Sequence, residues 1–168
     1  MFGLFKKRST RETGARGFFR ACNVYCHPET NKAIVAAVFN HGGLIAEKPG
    51  GSVAIAFSAR TDLEAAVQNA LAECEYVLEF DYSKDKPSDW PAYQASRCKT
   101  IKAFESDFVR LHIRGMNASN HSYSITTPEF GKFALEMSVS AQPNIDQFAD
   151  AIHYLLRCYR IAETAFET

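Results

Sequence analysis

Apolar positions along this chain repeat at two spacings, one near 3.6 residues and one of two, and each switch between them marks an expected element. Ser9-Thr10-Arg11-Glu12 fits a capping box, in which a hydroxyl and a glutamate satisfy each other's free backbone N–H groups. Phe18, Cys22 and Tyr25 follow at helical spacing, so a helix is expected near residues 10–26, stopped by Pro28. Gly14 and Gly17 weaken it, each by about 1 kcal/mol relative to alanine. Three short apolar runs come next, Ala33–Phe39, Leu44–Glu47 and Val53–Phe57. Asn40-His41-Gly42-Gly43 and Lys48-Pro49-Gly50-Gly51 separate them, and runs punctuated by Gly and Pro read as a β-meander. In the third run Val53, Ile55 and Phe57 share a face opposite Ala54 and Ala56.

Thr61-Asp62-Leu63-Glu64 is a second capping box, and the stripe Leu63, Val67, Ala70, Leu71 and Cys74 predicts a helix over 61–74. Tyr76, Leu78, Phe80 and Tyr82 alternate with Val77, Glu79 and Asp81, the signature of a strand, before a polar loop over 83–89. Pro91 suits a first helical turn, and a helix is expected over about 90–104. A second meander follows. Val109, Leu111 and Ile113 alternate with polar residues, as do Tyr123 and Ile125, and then Phe133, Leu135, Met137 and Val139. Pro143 opens the last helix, whose buried stripe is Ile145, Phe148, Ala149, Ile152, Leu155, Leu156 and Tyr159.

The expected order is therefore αβββα, a linking strand, then αβββα again. This is an α+β fold in which helices pack on antiparallel sheet built from two β-meanders, with an αβββα pseudo-repeat. Its 168 residues suit a single domain over 1–168, with residues 1–8 as a basic N-terminal arm.

Composition narrows the class without naming a function. Hydrophobic residues make up 46% and charged residues 23%, which excludes a disordered or collagen-like chain. No apolar run approaches 18 residues, so no membrane span is expected. In Met1-Phe2-Gly3-Leu4-Phe5-Lys6-Lys7-Arg8 the basic residues follow the apolar ones, the reverse of a secretory signal. Without export the five cysteines, an odd number, are expected to be reduced thiols in a cytoplasmic protein.

Candidate chemistry is sparse. Cys22-Asn23-Val24-Tyr25-Cys26-His27 lacks the spacing of a haem or zinc site, so its thiols are expected to serve the core. Lys48-Pro49-Gly50-Gly51-Ser52 lacks P-loop spacing and precedes a strand rather than a helix, so it is read as a hairpin turn. Arg110, His112 and Arg114 share one strand face, which a regular meander extends with Ser122, Ser124, Thr126 and Glu136. A histidine between two arginines suits phosphate binding or general acid–base catalysis; the competing reading is an ordinary solvated sheet face.

The most distinctive feature is charge. The net charge is zero, but residues 61–89 hold eight acids against two bases, while residues 1–20 hold six bases against one acid. Within the acidic stretch, Glu73, Glu75, Glu79, Asp81, Tyr82, Asp85, Asp89 and Trp90 interleave carboxylates with aromatics, a pattern suited to a basic protein partner. Glu79 and Asp81 could alternatively hold Mg²⁺, yet a third ligand is missing, so no metal or cofactor is expected. The leading expectation is a non-enzymatic protein-binding or inhibitor domain that neutralises a basic partner, in the manner of a bacterial immunity protein acting on a nuclease toxin. No direct nucleic-acid contact is expected. The alternatives are a phosphodiesterase- or RNase-like enzyme using His112 with Arg110 and Arg114, and a chaperone-like regulatory module.

Overall fold

A computed structural model describes residues 18–41, 44–77, 89–117, 119–129, 133–140 and 147–166. Among these, strands β1 (Ala21–His27), β2 (Lys32–His41), β3 (Leu44–Ala56), β4 (Glu75–Tyr76), β5 (Val109–Gly115), β6 (Ser122–Thr126) and β7 (Glu136–Ser140) form one sheet. Its order is β3-β2-β1-β5-β6-β7, every pair antiparallel, and β4 lies parallel to the end of β2. Helices α1 (Arg60–Ala72), α2 (Pro91–Ser96), α3 (Ile101–Asp107) and α4 (Gln147–Phe166) complete the α+β fold. None of the described helices is long and apolar enough to cross a membrane.

The expected helix over 10–26 is corrected by β1. Residues 10–17 lie outside the described residues, while 21–27 form a strand at the sheet's centre. Ala21 through Cys26 are all buried, because α1 and α4 cover one face of this half of the sheet and α2 and α3 the other. A strand buried on both faces has no polar alternation to betray it. Cys22 and Tyr25, which look like one helical stripe, point to opposite faces, Cys22 into the core under α1 and α4 and Tyr25 toward α2 and α3. Among the described residues the order βββα occurs twice, as β1–β3 with α1 and as β5–β7 with α4, joined where β1 pairs with β5.

A second correction concerns the glycine-rich turn. Leu44–Glu47 and Val53–Ala56 belong to one strand, β3, not to two strands joined by a hairpin. The pairs Ala36–Ser52 and Val38–Glu47 leave four residues, 48–51, opposite the single Ala37. Lys48-Pro49-Gly50-Gly51 is therefore a wide bulge, with Gly50 at φ +72°, where a side chain would strain the backbone. The three extra residues have a consequence for function. Side chains alternate faces with period two, so an odd insertion turns everything beyond it to the other face. Val53, opposite Val35, faces α1 and α4, whereas Glu47, opposite Val38, is turned toward Tyr25, Asn23 and α2.

The expected helix over 90–104 is two helices. Arg97 adopts a left-handed conformation (φ 61°) and ends α2, and Thr100 then caps α3 by accepting from the Ala103 N–H at 3.1 Å. The capping box at Thr61–Glu64 is also corrected. Ala59 occupies the N-cap of α1 with no side-chain cap bond, and Glu64, 4% exposed, serves α4 instead: its Oε2 accepts from the Ala149 N–H at 2.8 Å. The linking strand is described only as Glu75–Tyr76, and residues 78–88 lie outside the described residues, as do Ile145 and Pro143. Phe133, expected on the apolar face of the last strand, precedes β7 and is 58% exposed.

Candidate functional site

The expected polar face of the second meander is assembled. Cross-strand pairing sets His112 opposite Thr126, Arg114 opposite Ser124, Ser124 opposite Ser138 and Thr126 opposite Glu136. The Ser124 hydroxyl donates to the Glu136 carboxylate, and the Arg114 guanidinium sits 5.0 Å from the centre of the Phe19 ring. Arg110 and Arg114 are exposed, while His112 is half-buried.

His112 is held by a hydrogen bond through one ring nitrogen. Its Nδ1 lies 3.0 Å from Asn23 Oδ1, and Asn23 Nδ2 donates to Glu47 Oε1 at 3.1 Å. The amide nitrogen is thereby committed to a carboxylate, so its oxygen faces the imidazole and Nδ1 carries the proton. Burial first, then Arg110 and Arg114, hold this imidazole down to about 4, so it is neutral at pH 7.

Behind His112 lies an arrangement the sequence reading missed. Glu47 Oε1 accepts from the Tyr25 hydroxyl at 2.5 Å as well as from Asn23, and Oε2 accepts from the Ala92 N–H at 3.0 Å, in the first turn of α2. Burial, reinforced by the neighbouring carboxylate, pushes the Tyr25 phenol far above its ordinary range and keeps it a donor. A carboxylate at a helix N-terminus is also favoured by the backbone dipoles there. β1 and α2 thus meet on the carboxylate that β3 carries, and β5 joins them through His112 and Asn23. The signal was a lone acid in an apolar run, and its facing depends on the bulge rather than on any motif.

Of the acidic candidates, Glu73 ends α1 and Glu75 lies in β4, both exposed. Lys48 Nζ reaches the Glu73 carbonyl and Glu75 Oε1, each at 3.1 Å. Asp89 is exposed. Trp90 is half-buried, its ring edge-on to Phe104 (centroids 5.0 Å apart) and to Tyr25 (5.9 Å), so much of that ring serves the inner layer. Glu79, Asp81, Tyr82 and Asp85 lie outside the described residues. The adjacent Glu47 and Lys48 therefore hold both flanks of the acidic segment, one at Ala92 and the other at Glu73 and Glu75.

Three of the five thiols, Cys22, Cys26 and Cys74, take core positions, and Cys98 and Cys158 are half-buried. Cys22 and Cys26 are fully buried, and burial pushes Cys26 up to about 12 and Cys22 further still. Cys74 is raised by burial too, and its Sγ accepts from the Ala21 N–H at 3.3 Å. Thiols so disfavoured as thiolates are poor nucleophiles. Among the described residues no group of three His, Cys, Asp or Glu side chains is arranged to hold a metal ion. No protein-family model matches this chain, and no curated protein is detectably similar to it in sequence.

Proposed function

We propose that this protein is a binding domain that engages a basic protein partner through the acidic segment from Glu73 to Trp90. The observation that carries the reading is the double anchorage of that segment by Glu47 and Lys48, one residue apart on β3. Residues 61–89 hold eight acids against two bases, and of these Glu73, Glu75 and Asp89 are exposed at the anchored flanks, where like charges reinforce one another's field. Glu73 and Glu75 also sit at the C-terminal end of α1, where acids oppose the helix dipole, so helix stability does not account for them. The neutral, hydrogen-bonded His112 lends less support to the phosphodiesterase- or RNase-like alternative, which needs a proton donor beside its arginines.

A cytoplasmic inhibitor that neutralises a basic nuclease toxin, as bacterial immunity proteins do, is the kind of activity this reading describes. Calorimetric titration against candidate basic nuclease domains tests it, using the wild-type chain and a variant carrying Asp81→Lys, Asp85→Lys and Asp89→Lys. The expected result is wild-type binding that weakens with added salt, and at least about a tenfold loss of affinity in the variant. Equal affinities would remove the acidic segment from the interface.

A further inference from the structure

The two outer strands of the sheet are built differently. β3 carries Lys48-Pro49-Gly50-Gly51, a lysine, a proline and a wide bulge, the devices that stop a sheet edge from accepting another strand. β7, Glu136-Met137-Ser138-Val139-Ser140, has no lysine, proline or glycine and pairs regularly with β6 on its other side.

The ladder fixes which groups of β7 point outward. Met116 N donates to Ser122 O and Thr127 N donates to Leu135 O, so even-numbered residues of β6 bond toward β5 and odd-numbered ones toward β7. By antiparallel alternation, Met137 and Val139 bond to β6, and Glu136, Ser138 and Ser140 send their N–H and C=O groups away from it. We propose that this edge pairs with β7 of a second copy of the chain about a two-fold axis at Ser138, making one continuous sheet across a homodimer.

The register follows from charge. An axis at Ser138 sets Ser138 against the partner's Ser138, Glu136 against the partner's Ser140, and Met137 against the partner's Val139. All three outward-facing residues of each strand exchange both hydrogen bonds, and apolar residues meet apolar ones. An axis at Glu136 would instead oppose two carboxylates.

A second observation names the same occupant. Outside its sheet-facing stripe, α4 carries Tyr154, Cys158, Ile161 and Ala165 at steps of four, three and four, the spacing with which one helix packs along another. Tyr154 and Ile161 are 61% and 64% exposed. The contacts of α4 with the first half of the chain through Ala149, His153 and Arg160 lie on another flank, and Asp150, paired with Arg60, borders the stripe beside Tyr154. α1 packs over β1–β3 and α4 over β7, so α4 is the helix nearer the β7 edge. The two-fold that joins the β7 strands brings the two α4 stripes together.

Sedimentation equilibrium of the full chain over a range of concentrations tests this, with hydrogen exchange alongside. The expected species has twice the 18.8 kDa chain mass, and the amides of Glu136, Ser138 and Ser140 lose protection on dilution into the monomer range. Ser138→Lys places two ammonium groups at the axis, and Ile161→Glu charges the helix stripe. Each is expected to raise the dimer Kd at least about tenfold with an unchanged far-UV spectrum. A wild-type monomer at all concentrations overturns the proposal, and so does a dimer whose three β7 amides exchange freely. A Ser138→Lys variant that folds and dimerises like wild type removes β7 from the interface, even if Ile161→Glu dissociates it.

Discussion

Glu64 on α1 accepts the backbone N–H of Ala149 at 2.8 Å, so a carboxylate on one helix satisfies a free donor in the first described turn of another. Gln68 Nε2 donates to its other oxygen at 2.8 Å, which fixes the side chain's direction. Glu64→Ala leaves a donor in a buried contact without its acceptor and is expected to cost about 1–3 kcal/mol. For a chain of this size that lowers Tm by roughly 2–12 °C. Glu64→Gln keeps an acceptor oxygen and is expected to lose less than half as much. Thermal unfolding of both variants checks the order.

How legible this contact was depends on what sequence patterns encode. The S/T-x-x-E pattern at Thr61–Glu64 correctly marks a helix start, since α1 begins at Arg60, but it cannot say which helix the glutamate serves. The second meander was plain because α4 covers one face of β5–β7 and leaves a polar face opposite, so alternation survives in the sequence. β1 was hidden for the opposite reason: layers on both sides bury every position from Ala21 to Cys26, and Asn23 is the one polar amide among them. The polar face around Arg110, His112 and Arg114 could be placed by period-two counting alone. The Glu47 network could not, because an odd bulge reverses the count between the pairs Val53–Val35 and Glu47–Val38.

Glu47 is the side chain whose loss is felt furthest. Glu47→Ala removes the acceptor shared by Tyr25, Asn23 and Ala92, an expected cost of about 2–4 kcal/mol. The layer it holds is thin: of the apolar residues of α2 Ala92 alone is fully buried, with Tyr93 and Ala95 packed half-buried against a cluster whose large members are Tyr25, Ile34, Phe104 and Phe108. Hydrogen exchange is therefore expected to rise first in residues 90–96, with α4 protected as before. Tyr25→Phe removes one bond to the carboxylate and is expected to cost about 1.5–3 kcal/mol without that local opening.

The two bulge glycines separate backbone strain from crowding. At Gly50 an added Cβ meets nothing within 4 Å, but φ is +72°, so Gly50→Ala is expected to cost about 1–2 kcal/mol through the backbone alone. At Gly51 the Cβ would lie 3.0 Å from Lys48 Cβ, 3.2 Å from Lys48 O and 3.3 Å from Ala37 Cβ. Gly51→Ala must push Lys48 or β2 aside, at about 1–3 kcal/mol, and so disturbs the bond from Lys48 to Glu75. Urea unfolding gives both costs. The difference between the two mechanisms appears as greater exchange at residues 75–77 in the Gly51 variant only.

His112 makes stability depend on pH in a defined window. Its ordinary value of 6.5 applies to the unfolded chain, and burial beside Arg110 and Arg114 lowers it to about 4 in the fold. Between those values the unfolded chain binds a proton that the folded chain does not, so stability rises with pH. The contribution is complete above about pH 6.5, falls as the pH drops toward 4, and changes no further below it. His112→Gln cannot titrate, and its side-chain amide can still donate to Asn23. The wild-type-minus-variant unfolding free energy is therefore expected to fall by about 2–3 kcal/mol between pH 7 and pH 4. Guanidinium titrations at several pH values measure that difference, and a flat one would mean that the imidazole is not held neutral by its burial between the two arginines.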